Sequence, residues 1–397
     1  MAKRKKTLNV AMIGRGFMCR CHSNGWTQVA RFFDPPVMPV MHTLCDKFSE
    51  GLDDEAAKWG WQNTSTDWKK VIHNPEIDLI DIAVPNYLHA PMAIEALKAG
   101  KHVACEKPLA HTLSDARKML AAAKKAKGKT FVWYSYRGVP AVATAYEMVK
   151  AGKIGKIRHV RGLFLQSWAD ESVPLAWRFD KKLAGSGSLG DLNAHIIDMT
   201  RFITGEEIVE ITGAIGETFI KERKKMVGLV AGGIAEGLKK GKGKGRVTVD
   251  DASLFLARFS RGAVASFEAA RQATGNLSRS GFEIDGTKGA LRYYFERMAE
   301  LDYFDATGDW QTRGWTTINC SHGGSHPYAD AWWPDGHQIG YEHTFTNAAY
   351  STLRLVAGKK PVVPVPDFAD AYETQRVLEA VGIAASKKRA VKMSSVR

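Results

Sequence analysis

The sequence predicts a doubly wound parallel α/β domain followed by an α+β domain built on an open, mostly antiparallel sheet. Three observations carry this. Apolar runs alternate with helical patterns through the first third of the chain. After about Tyr136 that alternation gives way to runs joined by short glycine turns. At 397 residues, 45% of them hydrophobic, the chain is long enough for two separate cores. The expected domains are 1–136 and 137–397, with a C-terminal helix packing back on the first.

Taken in order, Leu8 to Ile13 reads as a strand, and a helix begins just past Gly16. Arg31 to Pro39, with Pro35-Pro36 and Pro39, reads as an inserted loop before a second strand at Val40 to Cys45. Leu79 to Val84 is a strand, Pro91 to Ala99 a helix, His102 to Cys105 a strand and Leu113 to Lys127 a helix. Such strand–helix alternation implies right-handed crossovers in a parallel sheet. A helix around Ala141 to Ala151 then leads into a strand at Ile157 to Leu165. Leu254 to Phe259 and Ala263 to Ala269 flank Arg261-Gly262, and Phe282 to Ile284 precedes Gly286. These are hairpin signals, and the resulting sheet has one face on helices and one free for another subunit.

Composition excludes several classes. No apolar run approaches the ~18–20 residues that span a bilayer. Met1-Ala2-Lys3-Arg4-Lys5-Lys6 has the basic character of a signal peptide, but the short apolar stretch behind it is broken by Arg15 and fits a first strand, so a cytoplasmic protein is expected. Five scattered cysteines make no disulfide framework, and Cys19-x-Cys21-His22 lacks a second ligand pair, so no metal is expected. The net charge of +14 sits largely in the termini and in Lys221 to Arg246, without a basic, aromatic-interleaved groove. Neither nucleic acid nor membrane is expected as a partner. The Lys/Gly-rich stretch itself receives no functional reading.

Two glycines, Gly14-x-Gly16, follow the first strand and open the first helix, as a tight turn that brings backbone N–H groups to a pyrophosphate requires. The third position of that fingerprint is Cys19. Asp46 ends the second strand, where a carboxylate bonds ribose hydroxyls and repels a 2′-phosphate; this favours NAD over NADP, with Lys47 the competing cation. Taken alone, Asp46 is equally a surface turn residue. Glu106-Lys107-Pro108 lies just past a strand, at the sheet edge where ligands of open α/β sheets gather. In Gly185-Ser186-Gly187-Ser188-Leu189-Gly190-Asp191-Leu192-Asn193-Ala194-His195, Asp191 and His195 stand four apart on an expected helix, hence on one face, with Asp198 continuing the stripe. A histidine beside a carboxylate suits proton transfer near neutral pH, and equally describes a core histidine.

Together, Gly14-x-Gly16, His22, Pro85-Asn86, His89, Glu106-Lys107-Pro108, Asp191-x3-His195 and the Gly286-Thr287-Lys288-Gly289 turn resemble the Gfo/Idh/MocA oxidoreductase family over nearly the whole chain. Within it the chain is similar to the branch of levoglucosan and glycoside 3-dehydrogenases, through the proline insert near Phe33, Tyr136-Arg137, and Gln166-Ser167-Trp168 to Trp177-Arg178-Phe179. Ser135 departs from the asparagine common before that Tyr-Arg pair.

The resemblance implies a Rossmann first domain. It places NAD across Gly14, Gly16, Phe17, Met18, Asp46, Pro85, Asn86, His89 and Glu106, with Lys107, Trp177 and Arg178 at the same cofactor. Lys107, Asp191 and His195 are the implied catalytic group. Trp168, Arg137 and Tyr341 join them as substrate contacts, and His326-Pro327-Tyr328 to Trp332-Trp333 offers further sugar-binding surface, unless these tryptophans pack domain or subunit contacts. The expected reaction is NAD-dependent oxidation of a secondary hydroxyl of a sugar, glycoside or anhydrosugar, at C3 of a pyranose, in a homodimer or homotetramer. The alternatives are redox-assisted glycoside cleavage with retained NAD, and a catalytically silent sugar- or NAD-sensing regulator.

Overall fold

The computed structural model describes residues 5–227 and 239–396. These form two compact units, the first made of 5–138 and 341–372, the second of 139–227, 239–340 and 373–396.

In the first unit β1 (Thr7–Ile13), α1 (Phe17–Phe32), β2 (Met38–Cys45), α2 (Leu52–Trp59), β3 (Asn63–Ser65), α3 (Trp68–His73), β4 (Leu79–Ile82), α4 (His89–Lys98), β5 (His102–Cys105), α5 (Leu113–Lys125) and β6 (Thr130–Val132) follow one another. The six strands are parallel in the order β3-β2-β1-β4-β5-β6. Strand order reverses direction at β1 and β4, which is where such sheets bind ligands. The expected loop at Arg31 to Pro39 is mostly absent: α1 runs to Phe32 and β2 begins at Met38. The long Gly16–Asp46 separation is thus taken up by a 16-residue helix and an eight-residue strand. Phe33, next to α1, stacks on Tyr350 at 4.3 Å.

Tyr350 belongs to the helix Tyr341–Val356, which returns to this unit. Its Phe345, Ala348, Ala349 and Leu353 join Val10, Met12, Trp26, Val29, Leu44, Phe131 and Trp133 in one core. Removing that much apolar surface from water drives the return.

The second unit opens with α6 (Pro140–Lys150) and β7 (Ile157–Leu165). β8 (Ile208–Glu217), β9 (Glu222–Val227), β10 (Lys239–Arg246), β11 (Ala252–Phe259), β12 (Val264–Ala270), β13 (Arg279–Gly286), β14 (Gly289–Tyr294), β15 (Glu300–Asp305), β16 (Trp315–Asn319) and β17 (Val391–Lys392) follow. Nine of these strands form one sheet, β16-β15-β14-β13-β7-β12-β11-β8-β17, antiparallel except for the β7–β12 pair. The helix Ala194–Thr204 covers one face: a Cβ on Gly162 of β7 would lie 2.1 Å from Ile196 Cγ2. Its Phe202 stacks on Tyr146 of α6 at 4.6 Å.

The Lys/Gly-rich stretch holds structure that its composition concealed. β9 and β10 pair antiparallel, carrying Lys240 to Arg246 against Glu222 to Met226, while 228–238 lie outside the described residues. No helix among the described residues is long and apolar enough to cross a membrane.

Candidate active site

The carboxyl ends of β1, β2, β4 and β5 bring most of the sequence-derived cofactor residues to one edge of the first unit. Gly14 has φ +110°, a Cβ there would sit 2.3 Å from Ala83 O, and its N–H donates to Cys45 O at 2.8 Å. Only glycine fits this turn between three strands. Gly16 caps α1 in extended conformation, and Phe17 and Met18 form the first helical turn, so the N–H groups of that helix end are directed at the sheet edge. Cys19, in the third fingerprint position, is wholly buried in the core, and burial pushes its thiol up to about 12. It acts there as a small apolar residue between helix and sheet.

Asp46 follows β2, and its Oδ1 accepts the N–H of Phe48 at 3.0 Å. The ammonium of Lys47 lies 4.6 Å above the Phe48 ring. After β4, Pro85 caps a short turn, Asn86–Leu88. His89 next to it is buried, with Nε2 2.9 Å from Val84 O and Nδ1 3.0 Å from Pro108 O. Both ring nitrogens thus face main-chain carbonyls, and burial lowers the ring's proton affinity. His89 links the β4 turn to the turn after β5 and shapes the site edge through it.

That second turn holds Glu106, Lys107 and a cis-peptide Pro108. Glu106 is buried; its Oε2 accepts the N–H of Lys107 at 3.1 Å and its Oε1 lies 3.1 Å from His22 Nε2. The other ring nitrogen of His22 is 3.1 Å from Asp81 Oδ1. Burial pulls His22 toward the neutral form, but the charges and hydrogen bonds of Asp81 and Glu106 outweigh it and raise the ring to about 9.

Arg137, expected among the substrate contacts, is buried after β6. Its Nη2 donates to Asp370 Oδ2 at 2.6 Å and its Nη1 to Pro364 O at 3.3 Å. It pins the turn that carries Tyr136 to the returning segment. Tyr341 lies parallel to the Phe17 ring at 6.4 Å, and burial pushes its phenol well above its ordinary range.

In the second unit the structure corrects the expected helix around Asp191. Leu189–Asn193 is a π-helical turn, and the α-helix proper begins at Ala194. In the wider turn the four-residue step from Asp191 to His195 no longer has the α-helical offset, and such turns concentrate at functional sites. Asp250, which sequence reasoning missed, holds this entry: its carboxylate accepts from Gly187 N (2.7 Å), Ser188 Oγ (2.6 Å) and Leu189 N (2.8 Å). His195 is 9% exposed, with Phe164 5.9 Å away.

Trp168 donates from Nε1 to Gln166 Oε1 at 2.9 Å and has the Arg271 guanidinium 5.5 Å from its ring. Arg178 lies 4.4 Å over Trp177. Phe179, beside them, has Arg223 at 4.0 Å and Arg271 at 5.2 Å. Arg223, from the basic ribbon, donates to the carbonyls of Ala169, Asp170 and Val173 and so fixes the loop that bears Trp168. His326 caps the helix Pro327–Asp330 by accepting from Tyr328 N, and burial lowers it to about 4. The ring thereby fixes the start of the Pro327–Asp330 turn.

Residues 8–134 match the oxidoreductase family with an NAD-binding Rossmann fold, and residues 142–292 match the GFO/IDH/MocA C-terminal domain. Levoglucosan dehydrogenase of Pseudarthrobacter phenanthrenivorans is 39% identical over 388 residues, covering 96% of this chain and 97% of that protein. The chain belongs to the Gfo/Idh/MocA oxidoreductase family. Among solved structures of similar proteins are an oxidoreductase domain protein from Kribbella flavida (43% identity, TM-score 0.90, 98% and 99% of the two chains covered) and a levoglucosan dehydrogenase in complex with NADH and levoglucosan (37%, 0.89, with the same coverage).

The first unit of this Gfo/Idh/MocA chain is thus an NAD-binding Rossmann domain, and the protein is an NAD-dependent oxidoreductase. The turn at Gly14, the helix end at Gly16–Met18 and the carboxylate at Asp46 fit that cofactor. Asp81, Asp250 and Arg223 were not found from sequence because each acts across 50 or more positions on partners no local pattern names. His22 was seen only as part of a motif.

Proposed function

We propose that the protein oxidises a secondary hydroxyl of a sugar, glycoside or anhydrosugar to a ketone, at C3 of a pyranose, with NAD as acceptor. The observation that carries this is the 39% identity to a levoglucosan dehydrogenase across 96% of the chain. Lys107, Asp191 and His195 are present for the catalytic group.

In this reading the Gly14–Gly16 turn and the start of α1 hold the pyrophosphate, and Asp46 takes the ribose hydroxyls. Pro85, Asn86, Glu106, Trp177 and Arg178 serve the nicotinamide half. The bound cofactor supplies the hydride acceptor. His195 takes the hydroxyl proton at its ring nitrogen, oriented and charge-stabilised by Asp191. Lys107 donates a hydrogen bond to the reacting oxygen and stabilises its alkoxide character. Trp168 and Tyr341 offer flat faces to the sugar's C–H surface. Arg137 acts from behind, through the turn it anchors to Asp370.

The test is to incubate purified protein with NAD⁺ and levoglucosan, simple glucosides, free hexoses and inositols, following NADH absorbance and locating the product ketone by NMR. Reduction with levoglucosan or glucosides and a 3-keto product is expected. Turnover of inositols alone, or a ketone at another carbon, overturns the assignment. No NADH with any of them, but release of free sugar, points to redox-assisted cleavage instead.

A further inference from the structure

We propose that His22 is a charged positioning residue: as an imidazolium it clamps Asp81 and Glu106 together and thereby fixes the turn that presents Lys107. The inference rests on the reading of Lys107 as catalytic and adds a residue that touches neither cofactor nor substrate.

The argument is one of donors and acceptors. His22 is fully buried in the second turn of α1, and both ring nitrogens sit 3.1 Å from a carboxylate oxygen. A neutral imidazole has one N–H and would turn a lone pair on the second carboxylate. Asp81 cannot relieve this easily, because it also accepts from Trp26 Nε1 at 2.8 Å and Trp133 Nε1 at 2.9 Å. With two indole N–H donors already on it, Asp81 serves as an acceptor. Glu106 accepts the Lys107 N–H at Oε2, and its Oε1 faces His22 Nε2 at 3.1 Å. Every contact is satisfied when Asp81 and Glu106 are anions and His22 carries both protons.

The surroundings agree with that charge state. Trp133 stacks on the imidazole at 4.1 Å and Phe345 lies 5.5 Å away, aromatic neighbours that favour a cation. The Cys19, Cys21 and Cys105 thiols and the Tyr341 phenol are titratable groups near the same carboxylates; burial pushes Cys19 and Cys21 up to about 12, and Cys105 and Tyr341 well above their usual ranges. All are neutral at physiological pH, so none competes for the imidazolium. One ring therefore couples three elements: α1, whose first turn faces the pyrophosphate, β4 through Asp81, and the Lys107 turn through Glu106. Partners behind a reacting group hold it to the tolerance that catalysis needs, and misplacement by about 1 Å costs roughly 10²-fold in rate.

Two measurements test this. In protein labelled with ¹⁵N-histidine, His22 should show both ring nitrogens protonated throughout about pH 6 to 8, while exposed histidines titrate; His22→Gln identifies the signal. Loss of a ring proton within that interval overturns the proposal. His22→Gln keeps one donor and one acceptor without the charge. It should lower kcat about tenfold or more while the Kd for NADH, from fluorescence titration, stays within about threefold. Unchanged kcat with only a lower Tm makes His22 structural and overturns the proposal. If the wild type itself oxidises no sugar, the functional reading fails while the NMR result still decides the clamp.

Discussion

At His195 the ring is nearly buried, beside Phe164, on the first turn of a helix that a π-turn introduces. In the proposed reaction it is the general base, a role that mutation tests directly. His195→Ala is expected to lower kcat about 10²–10⁴-fold, read from NADH formation at saturating sugar; unchanged turnover removes it from the mechanism. Lys107→Ala should be comparably damaging, and Lys107→Arg should not restore activity, because a planar fork cannot replace a point donor at the reacting oxygen. His326 carries a pH signature of a different kind. Its folded-state value of about 4 lies below the ordinary 6.5, so the folded protein binds fewer protons than the unfolded chain in that interval. The contribution is fully present above pH 6.5 and is lost as pH falls toward 4. Tm should therefore drop across that interval, and His326→Asn should flatten the drop; an unchanged slope excludes His326 as its source.

Among the elements, the contact between β7 and the helix Ala194–Thr204 sets where His195 stands. Gly162 leaves no room for a methyl, which would meet Ile196 Cγ2 at 2.1 Å. Gly162→Ala should destabilise by about 1–3 kcal/mol through overpacking and lower kcat by shifting the helix. Removing the clashing β-branch methyl in Gly162→Ala/Ile196→Leu should recover part of both in thermal melts and steady-state assays. A single variant as active as wild type would show that His195 tolerates the shift. The ribbon of β9 and β10 teaches a related lesson. Glycine and lysine are poor strand formers, yet the segment pairs, because Arg223 anchors it to the carbonyls of the Trp168 loop.

For the whole molecule, the open face of the nine-stranded sheet bears exposed Ile215, Leu254, Leu256 and Val264. Cross-strand pairing puts Leu254 opposite Ile215, with Phe255 and Phe267 on the buried side. A contiguous apolar strip of this kind marks an association surface. The homodimer or homotetramer expected from the family resemblance would cover it. Light scattering after gel filtration should then show an oligomer, and Leu256→Lys should shift it to a smaller species. An unchanged mass for that variant would place the interface elsewhere.

Local chemistry is what sequence reports, and here it was informative. Gly14-x-Gly16, Glu106-Lys107-Pro108 and the strand–helix alternation are fixed by backbone sterics and side-chain period, so the Rossmann half and its ligand edge are legible in the sequence. The open antiparallel sheet followed from its hairpin turns. What only the tertiary structure decided depends on partners distant in the chain. That Arg137 pairs with Asp370, 233 positions on, is invisible in any local pattern. Asp250 is an unmarked carboxylate until it closes on Gly187 to Leu189. His22 is a motif letter until Asp81 and Glu106 flank it. The helix Tyr341–Val356 shows an amphipathic face, but which core that face joins is set by packing, not by period. Sequence period specifies which faces are apolar and which turns are tight; burial then chooses, among many compatible partners, those that leave no polar group unmet.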